Sequence, residues 1–363
     1  MAKIKNIVIS GWYGHGNIGD EAILQALIEI FEKKYPGCTI TALSFSPEYT
    51  KKTQNINAVK QFPIGKKKWL HSVLTFDIVR TLIAIYKCDL FVMGGGGFLS
   101  DWQPYVPHGW LKQMKIAKYF GKKTWLYRIG AGPFLTDVGK KTTKFYIDNF
   151  VDMVSVRDKE SYRQLVENVG VEKRVEIEID PVANMSVDGY IDRRSKQDSK
   201  YICLIYTEYF KNKYFKNDKM KKWDHLFRAF CAQIEAVIDK GLIPKLLFFQ
   251  KDIEESLAKK FVEVFNEQII VLFPRDYKEA FSMMSESKGV ISFRLHGNIM
   301  AYAIKRPFLP IIYHHKTAGF LELIDFRNNE YLLEVGDGEN WKDVVIDSSE
   351  WKSKTEIFLE SIK

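Results

Sequence analysis

The sequence predicts an α/β protein of two Rossmann-like domains facing each other across a cleft. Three observations carry that expectation. Short apolar runs alternate with helical patterns along most of the chain, which specifies parallel sheets covered on both faces. The alternation breaks once, in a polar stretch rich in Asp, Arg, Lys and Ser between 186 and 200. Strand after strand also runs into a glycine or Arg/His cluster, and the carboxyl ends of strands are where doubly wound folds bind ligands. At 363 residues the chain suits about two domains. The expected division is a first domain at 1–185, a linker at 186–200, a second domain at 201–335, and a tail at 336–363 that carries a helix.

Taken in order, Ile7–Ser10 reads as a strand and Glu21–Phe31 as a helix with apolar residues at 23, 24, 27, 28 and 31. Cys38–Phe45 is a strand, Ile78–Tyr86 a helix, and Leu90–Met93 a strand that enters four glycines. Trp110–Phe120 (helix), Lys123–Ile129 (strand), Lys140–Phe150 (helix) and Met153–Val156 (strand) continue the alternation. Lys159–Asn168 (helix) and Val175–Ile179 (strand) complete the first series. After the polar stretch come strands at Tyr201–Thr207, Pro244–Gln250 and Ile269–Phe273, separated by helices at Trp223–Lys240 and Ile253–Phe265. Tyr277–Ser285 is a further helix, followed by an apolar strand into Arg294, a helix at Asn298–Lys305, and a strand at Arg306–Tyr313.

Composition narrows the function. Hydrophobic residues make up 46% and aromatics 14%, ample for two cores. Lys and Arg number 54 against 45 acidic residues, a net charge of +9 that suits an anionic partner. Nucleic acid is the weakest such partner, because the basic residues are dispersed and no recognised module appears. The four cysteines, at 38, 88, 203 and 231, form no CxxC pair and fit a reducing cytoplasm. The chain enters its first strand at Ile4 without a signal peptide, and no apolar run reaches the roughly 18 residues of a membrane span.

Two glycine loops follow strands of the first domain. Gly14-His15-Gly16-Asn17-Ile18-Gly19 has the GxGxxG spacing of a dinucleotide site. Three features argue against that use. The loop starts four residues after the strand, Asp20 and Glu21 would repel a pyrophosphate, and the next strand ends without an acid for a ribose. Asn17 is better read as a helix cap supported by Asp20, resembling a capping box. The second loop, Gly94-Gly95-Gly96-Gly97, lacks the GK[ST] of a nucleoside-triphosphate loop. Its backbone entropy cost implies close approach of a ligand or chain at Gly95 and Gly96. Arg157, after a later strand, is either an anion ligand or a partner for Asp158.

The second domain carries the richest cluster. Arg294 and His296 end the strand that begins near Ile291, and alternation would point both to one side if the strand persists. Arg offers a planar fork for phosphate or carboxylate, and His can move a proton near neutral pH. His314, His315 and Lys316 end the next strand and fall on the same rim. No Cys or acid lies at zinc-like spacing, so metal is not expected there.

Six segments together resemble the polysaccharide pyruvyl transferase family. They are GHGNIGDEAIL (14–24), MGGGGFLSD (93–101), IGAGPF (129–134), VSVRD (154–158), IDPVAN (179–184) and SFRLHGNIMAYAIKRPFLPIIYHHKTAGFL (292–321). They occur in family order over most of the chain. The resemblance implies a fold similar to the GT-B glycosyltransferases. It implies transfer of pyruvate from phosphoenolpyruvate to two hydroxyls of a sugar in a cell-surface polysaccharide precursor, with no further cofactor. On that reading Arg294, Arg157 and Lys316 hold the donor's charges, with His315 beside them, and His296 is the acid or base. Asn17, Asp20, Gly95 and Gly96 contact the sugar, which is lipid-linked or nucleotide-linked. The sequence departs from many members where acids flank the lysine; here His315 and Ala318 stand.

Two competing functions share these residues: a GT-B glycosyltransferase using a nucleotide sugar, and a non-catalytic subunit of envelope polysaccharide assembly. A further feature, Lys66-Lys67-Lys68-Trp69-Leu70 with Val73, Leu74 and Phe76, has the composition of an anionic membrane interface. The weightier reading is a solvated lysine turn before a core helix.

Overall fold

A computed structural model describes residues 4–63, 76–101, 105–191, 199–208, 219–328, 330, 332–334 and 346–362. The lysine cluster 66–68 and its neighbours to 74 lie outside the described residues. The chain divides into two compact units, Met1–Met185 and Ser186–Lys363.

The first unit has a seven-stranded parallel sheet. Its strands are β1 (Asn6–Ser10), β2 (Thr39–Ser44), β3 (Asn57–Lys60), β4 (Leu90–Gly94), β5 (Lys123–Ile129), β6 (Met153–Val156) and β7 (Val175–Ile177), in the order β3-β2-β1-β4-β5-β6-β7. The connecting helices are α1 (Ile18–Lys34), α2 (Pro47–Gln54), α3 (Asp77–Lys87), α4 (Val106–Tyr119), α5 (Asp137–Phe150) and α6 (Lys159–Arg163). The central strand β4 is apolar throughout, as a strand buried on both faces must be. β4 is buried along its whole length, and Phe91 and Met93 join Leu111, Met114 and Ile147 from α4 and α5 in one core.

The second unit repeats the plan with six strands. These are β8 (Tyr201–Ile205), β9 (Ile243–Leu247), β10 (Ile270–Leu272), β11 (Gly289–Ser292), β12 (Phe308–Ile312) and β13 (Leu333–Glu334), ordered β10-β9-β8-β11-β12-β13. Its helices are α7 (Lys219–Asp239), α8 (Lys251–Phe265), α9 (Tyr277–Ser285), α10 (Leu295–Ala303), α11 (His315–Leu323) and α12 (Ser348–Ser361). The last of these lies against α7, where Trp351 and Phe358 share a core with Phe230 and Phe261.

Several elements differ from expectation for identifiable reasons. α2 has the sequence PEYTKKTQ and no apolar stripe; Pro47 starts it and Asn55, at φ 54°, ends it in the left-handed region. β3 shows a single buried residue, Ala58, and so carries no alternation to read. The helix expected at Lys159–Asn168 changes to a π turn after Arg163. β11 stops at Ser292 and α10 begins at Leu295, with two residues between them. Arg294 and His296 therefore do not alternate along a strand, and the expectation that strand geometry points them to one side is corrected. α11 has few large apolar residues, and they start only at Phe320, so it carries little helical pattern.

Candidate functional site

In each unit the strand order reverses at one point, between β1 and β4 in the first and between β8 and β11 in the second. The carboxyl ends beside such a reversal open a crevice for ligands. The sequence-selected residues collect at these two rims.

At the first rim, Asn17 caps α1 by accepting a hydrogen bond from the Gly19 amide at 3.1 Å. The bond that reaches back to the loop comes from Glu21 rather than Asp20: the Gly14 amide donates to Glu21 Oε1 at 2.7 Å. Glu21 is almost fully buried, and burial pushes its carboxyl up to about 7, with Asp20 adding to the shift and the Gly14 amide opposing it. The buried Tyr13 hydroxyl donates to the Gly94 carbonyl and so ties the two glycine loops together. Burial raises the Tyr13 pKa, and the charges of Asp20, Glu21 and Asp180 raise it further.

The glycines of the second loop are forced mainly by the chain itself. Gly95 has φ +63°, and a Cβ there would lie 2.0 Å from Ile23 Cγ2 of α1. A Cβ on Gly96 would stand 3.3 Å from the Phe98 ring and 3.7 Å from Asp20 Oδ1, so Gly96 and Asp20 share one small space. Asp101, which closes this segment, accepts from the amides of Leu135 and Thr136, both at 2.6 Å. It is a buried anchor for the turn ahead of α5.

Arg157 is 4% exposed, and its Nη1 donates to Asp180 Oδ2 at 2.8 Å, while Asp158 stands 3.9 Å from Nε. Of the acidic partners, Asp180 in the IDPVAN segment is thus the nearer. The guanidinium also lies under Gly130, where a Cβ would come within 3.0 Å of it.

An aromatic shelf at this rim escaped the sequence reading. Trp12 is 38% exposed and stacks on His15 at 4.4 Å; Phe45 lies 5.1 Å and Trp110 5.9 Å from Trp12. An aromatic directly beside the loop glycines, in GWYGHG, was the available signal.

At the second rim a tight turn links β11 to α10. Ser292 Oγ donates to the Arg294 carbonyl at 2.8 Å, and a Cβ on Gly297 would meet Ser292 Oγ at 2.2 Å. Arg294 occupies the N-cap position of α10, and its Nε donates to Glu254 Oε1 at 2.9 Å with Nη2 on the same oxygen. Glu254 is fully buried, and its other oxygen accepts from the Gln250 amide at 2.9 Å. One carboxylate therefore fastens the turn after β9 to the turn after β11. Sequence reading missed it because residues 254 and 294 are 40 positions apart.

His296 is half-buried in the first turn of α10. On the adjacent strand, His314 caps α11 by accepting from the Lys316 amide at 3.2 Å, and its ring lies 3.9 Å from that of His315. Phe293 and Tyr313 stack at 4.3 Å and hold the two strand ends together. His315 and Lys316 are half-buried in the first turn of α11. The rim thus gathers Arg294, His296, His314, His315 and Lys316 at two helix N-termini, where exposed amides and the helix dipole favour anions. Among the described residues, no group of three or more His, Cys, Asp or Glu side chains is placed to hold a metal.

Several solved structures of similar fold hold nucleotides or sugars. A UDP-GlcNAc 2-epimerase from Methanocaldococcus jannaschii, in complex with UDP-GlcNAc and UDP, matches with a TM-score of 0.57 at 14% identity, over 98% of this chain and 93% of its own. Anabaena Alr3699/HepE, in complex with UDP and glucose, matches at 0.54 and 10% identity, over 99% and 97%. The Escherichia coli heptosyltransferase WaaC with ADP matches at 0.50 and 13% identity, over 99% and 100%. At these identities the likeness establishes the fold, two Rossmann-like α/β units of the GT-B class. No curated protein is detectably similar in sequence. The family profile of polysaccharide pyruvyl transferases, however, matches residues 17–315, from the cap of α1 to the first turn of α11, and the chain belongs to that family.

Proposed function

We propose that the protein transfers the pyruvyl group of phosphoenolpyruvate to two hydroxyls of a sugar, forming a ketal on a cell-surface polysaccharide precursor. The observation that carries this reading is the second rim, where Arg294, His296, His315 and Lys316 stand at the N-termini of the two helices that follow adjacent strands. Phosphoenolpyruvate bears a phosphate and a carboxylate. Lys316 and the helix N-termini meet one charge, and the remaining Nη1 side of Arg294, whose Nε and Nη2 are held by Glu254, meets the other.

A sugar hydroxyl adds to C2 of phosphoenolpyruvate while a proton is delivered to its methylene carbon, making a methyl group. His296 is the acid or base in this exchange. The C2–O bond to phosphate breaks, and the second hydroxyl adds to C2. Its proton leaves with the phosphate, and the net products are the ketal and inorganic phosphate.

The first rim suits a neutral, hydroxylated acceptor. Its loops present Asn17 and Asp20 as hydrogen-bonding groups, and Gly96 keeps the space beside Asp20 clear. The Trp12–His15 shelf offers an apolar face to the C–H side of a sugar ring. Arg157, locked onto Asp180, holds this rim in shape from beneath. A cytoplasmic site is in keeping with a phosphoenolpyruvate donor.

Neighbours of the same fold that carry UDP or ADP support a nucleotide-sugar reading, either as acceptor for the pyruvyl group or as donor in a glycosyl transfer. Phosphate release from phosphoenolpyruvate, measured with nucleotide-linked and lipid-linked sugars, separates the two. Acceptor-dependent release with a pyruvyl mass added to the sugar supports the proposal. Release of a nucleoside diphosphate without consumption of phosphoenolpyruvate sinks it in favour of glycosyl transfer.

A further inference from the structure

Helix α3 of the first unit is apolar on two faces. Its inner face buries Ile78, Thr81 and Ile85. Its outer face carries Phe76, Val79, Ile83 and Tyr86, spaced three or four residues apart, at 69%, 45%, 47% and 62% exposure. Tyr119 and Phe120, at the end of α4, extend the band, and the Tyr86 and Phe120 rings meet edge to face at 5.5 Å. A surface helix ordinarily turns polar side chains outward, and scattered exposed apolar residues need no explanation. Six large ones in a continuous band do. Phe76 sharpens the point: it sits in the left-handed region at φ 56°, a conformation bulky residues avoid, with its ring exposed.

Cations outnumber acids around the band. Arg80 and Lys87 are exposed on the same face of α3. Lys122 lies 5.3 Å over the Tyr86 ring and Lys115 lies 5.4 Å over the Tyr119 ring. Three acids lie nearby: Asp89 accepts from the Lys5 and Asn6 amides and is also drawn to Lys122, and Asp152 pairs with Lys118. Asp77 belongs to the first turn of α3, where it complements the helix dipole.

We propose that this band docks on an anionic phospholipid surface, with the aromatic and aliphatic side chains in the headgroup region and the cations against lipid phosphates. Charge complementarity selects this occupant over a second copy of the chain. A two-fold contact through the band would set Arg80, Lys87 and Lys122 against cations of its mate. The inference is independent of the reaction proposed for the rims.

Co-sedimentation of the full chain with vesicles tests it. Vesicles of equal parts phosphatidylcholine and phosphatidylglycerol should bind the protein, less so at high salt, and pure phosphatidylcholine should not. Ile83→Ser with Tyr86→Ser, and separately Arg80→Glu with Lys87→Glu, should each weaken binding by about tenfold or more at unchanged circular dichroism. Failure of the wild type to bind anionic vesicles overturns the proposal, as does wild-type binding by either double variant. Concentration-dependent dimerisation that the same variants abolish also overturns it and assigns the band to contact between copies.

Discussion

The two rims are built on the same strand plan and end in opposite chemistry. The first is acidic and shaped by backbone: Asp20, Glu21, Asp101 and Asp180 surround its glycine loops, and its cation, Arg157, is buried in an ion pair. The second is basic and shaped by side chains: one buried carboxylate, Glu254, serves a rim of Arg294, Lys316 and histidines. A Rossmann-like unit therefore leaves its ligand chemistry to the loops after its strands. On the proposed reaction, the anionic donor belongs to the second rim and the neutral sugar to the first.

The largest effect should come from His296→Ala. Loss of a general acid–base group lowers kcat by about 10²–10⁴-fold, and binding of phosphoenolpyruvate should change little. Calorimetric affinity beside steady-state kcat checks this; full activity of the variant would remove His296 from the mechanism.

A paired substitution tests whether the two buried carboxylates differ as the rims do. Glu254→Ala and Asp180→Ala each take from a largely buried arginine its nearest carboxylate and should cost about 3–5 kcal/mol of unfolding free energy. Only Glu254→Ala should also raise KM for phosphoenolpyruvate, because only Arg294 belongs to the donor rim. Equal KM effects would erase the distinction.

The pH dependence of stability belongs to the first rim. The carboxyl of Glu21 lies at about 7 in the folded state against an ordinary 4.5, so the folded protein holds its proton more tightly than the unfolded chain. Stability from this group is full below pH 4.5 and declines as pH rises to about 7, by on the order of 3 kcal/mol. Glu21→Gln should flatten that decline and raise the melting temperature at pH 8, while Gln Oε1 still accepts from Gly14. A variant that melts with the same pH profile as the wild type would refute the assignment.

The smallest effect is expected at Gly95. Ala there meets Ile23 and a positive φ together, which should cost about 1–3 kcal/mol. Restored stability in Gly95→Ala with Ile23→Ala would show that the glycine serves packing rather than sugar contact.

Much of this was legible in the chain. Central strands such as Leu90–Gly94 are continuous apolar runs, and burial on both faces demands such runs. The rim residues stood out because Gly, Arg and His interrupt apolar strands at one end. Less was legible where local signal was weak or partners were distant. PEYTKKTQ forms a helix without an apolar face, and β3 is a short edge with one inward residue. The end of β11 was placed too late, since Phe293 continues the apolar run into the turn and packs there on Tyr313.

The sequence by itself determined the two α/β series, their parallel sheets and the positions of the two rims. Those features follow from local periodicity and from residues adjacent in the chain. Only the tertiary structure decided which acid each arginine meets. It also decided that Glu21 rather than Asp20 reaches the Gly14 amide, and that α3 keeps a second apolar face outward. Ion pairs across 23 and 40 residues, and the exposure of a helix face, depend on how separate strands and helices pack, which no local pattern encodes.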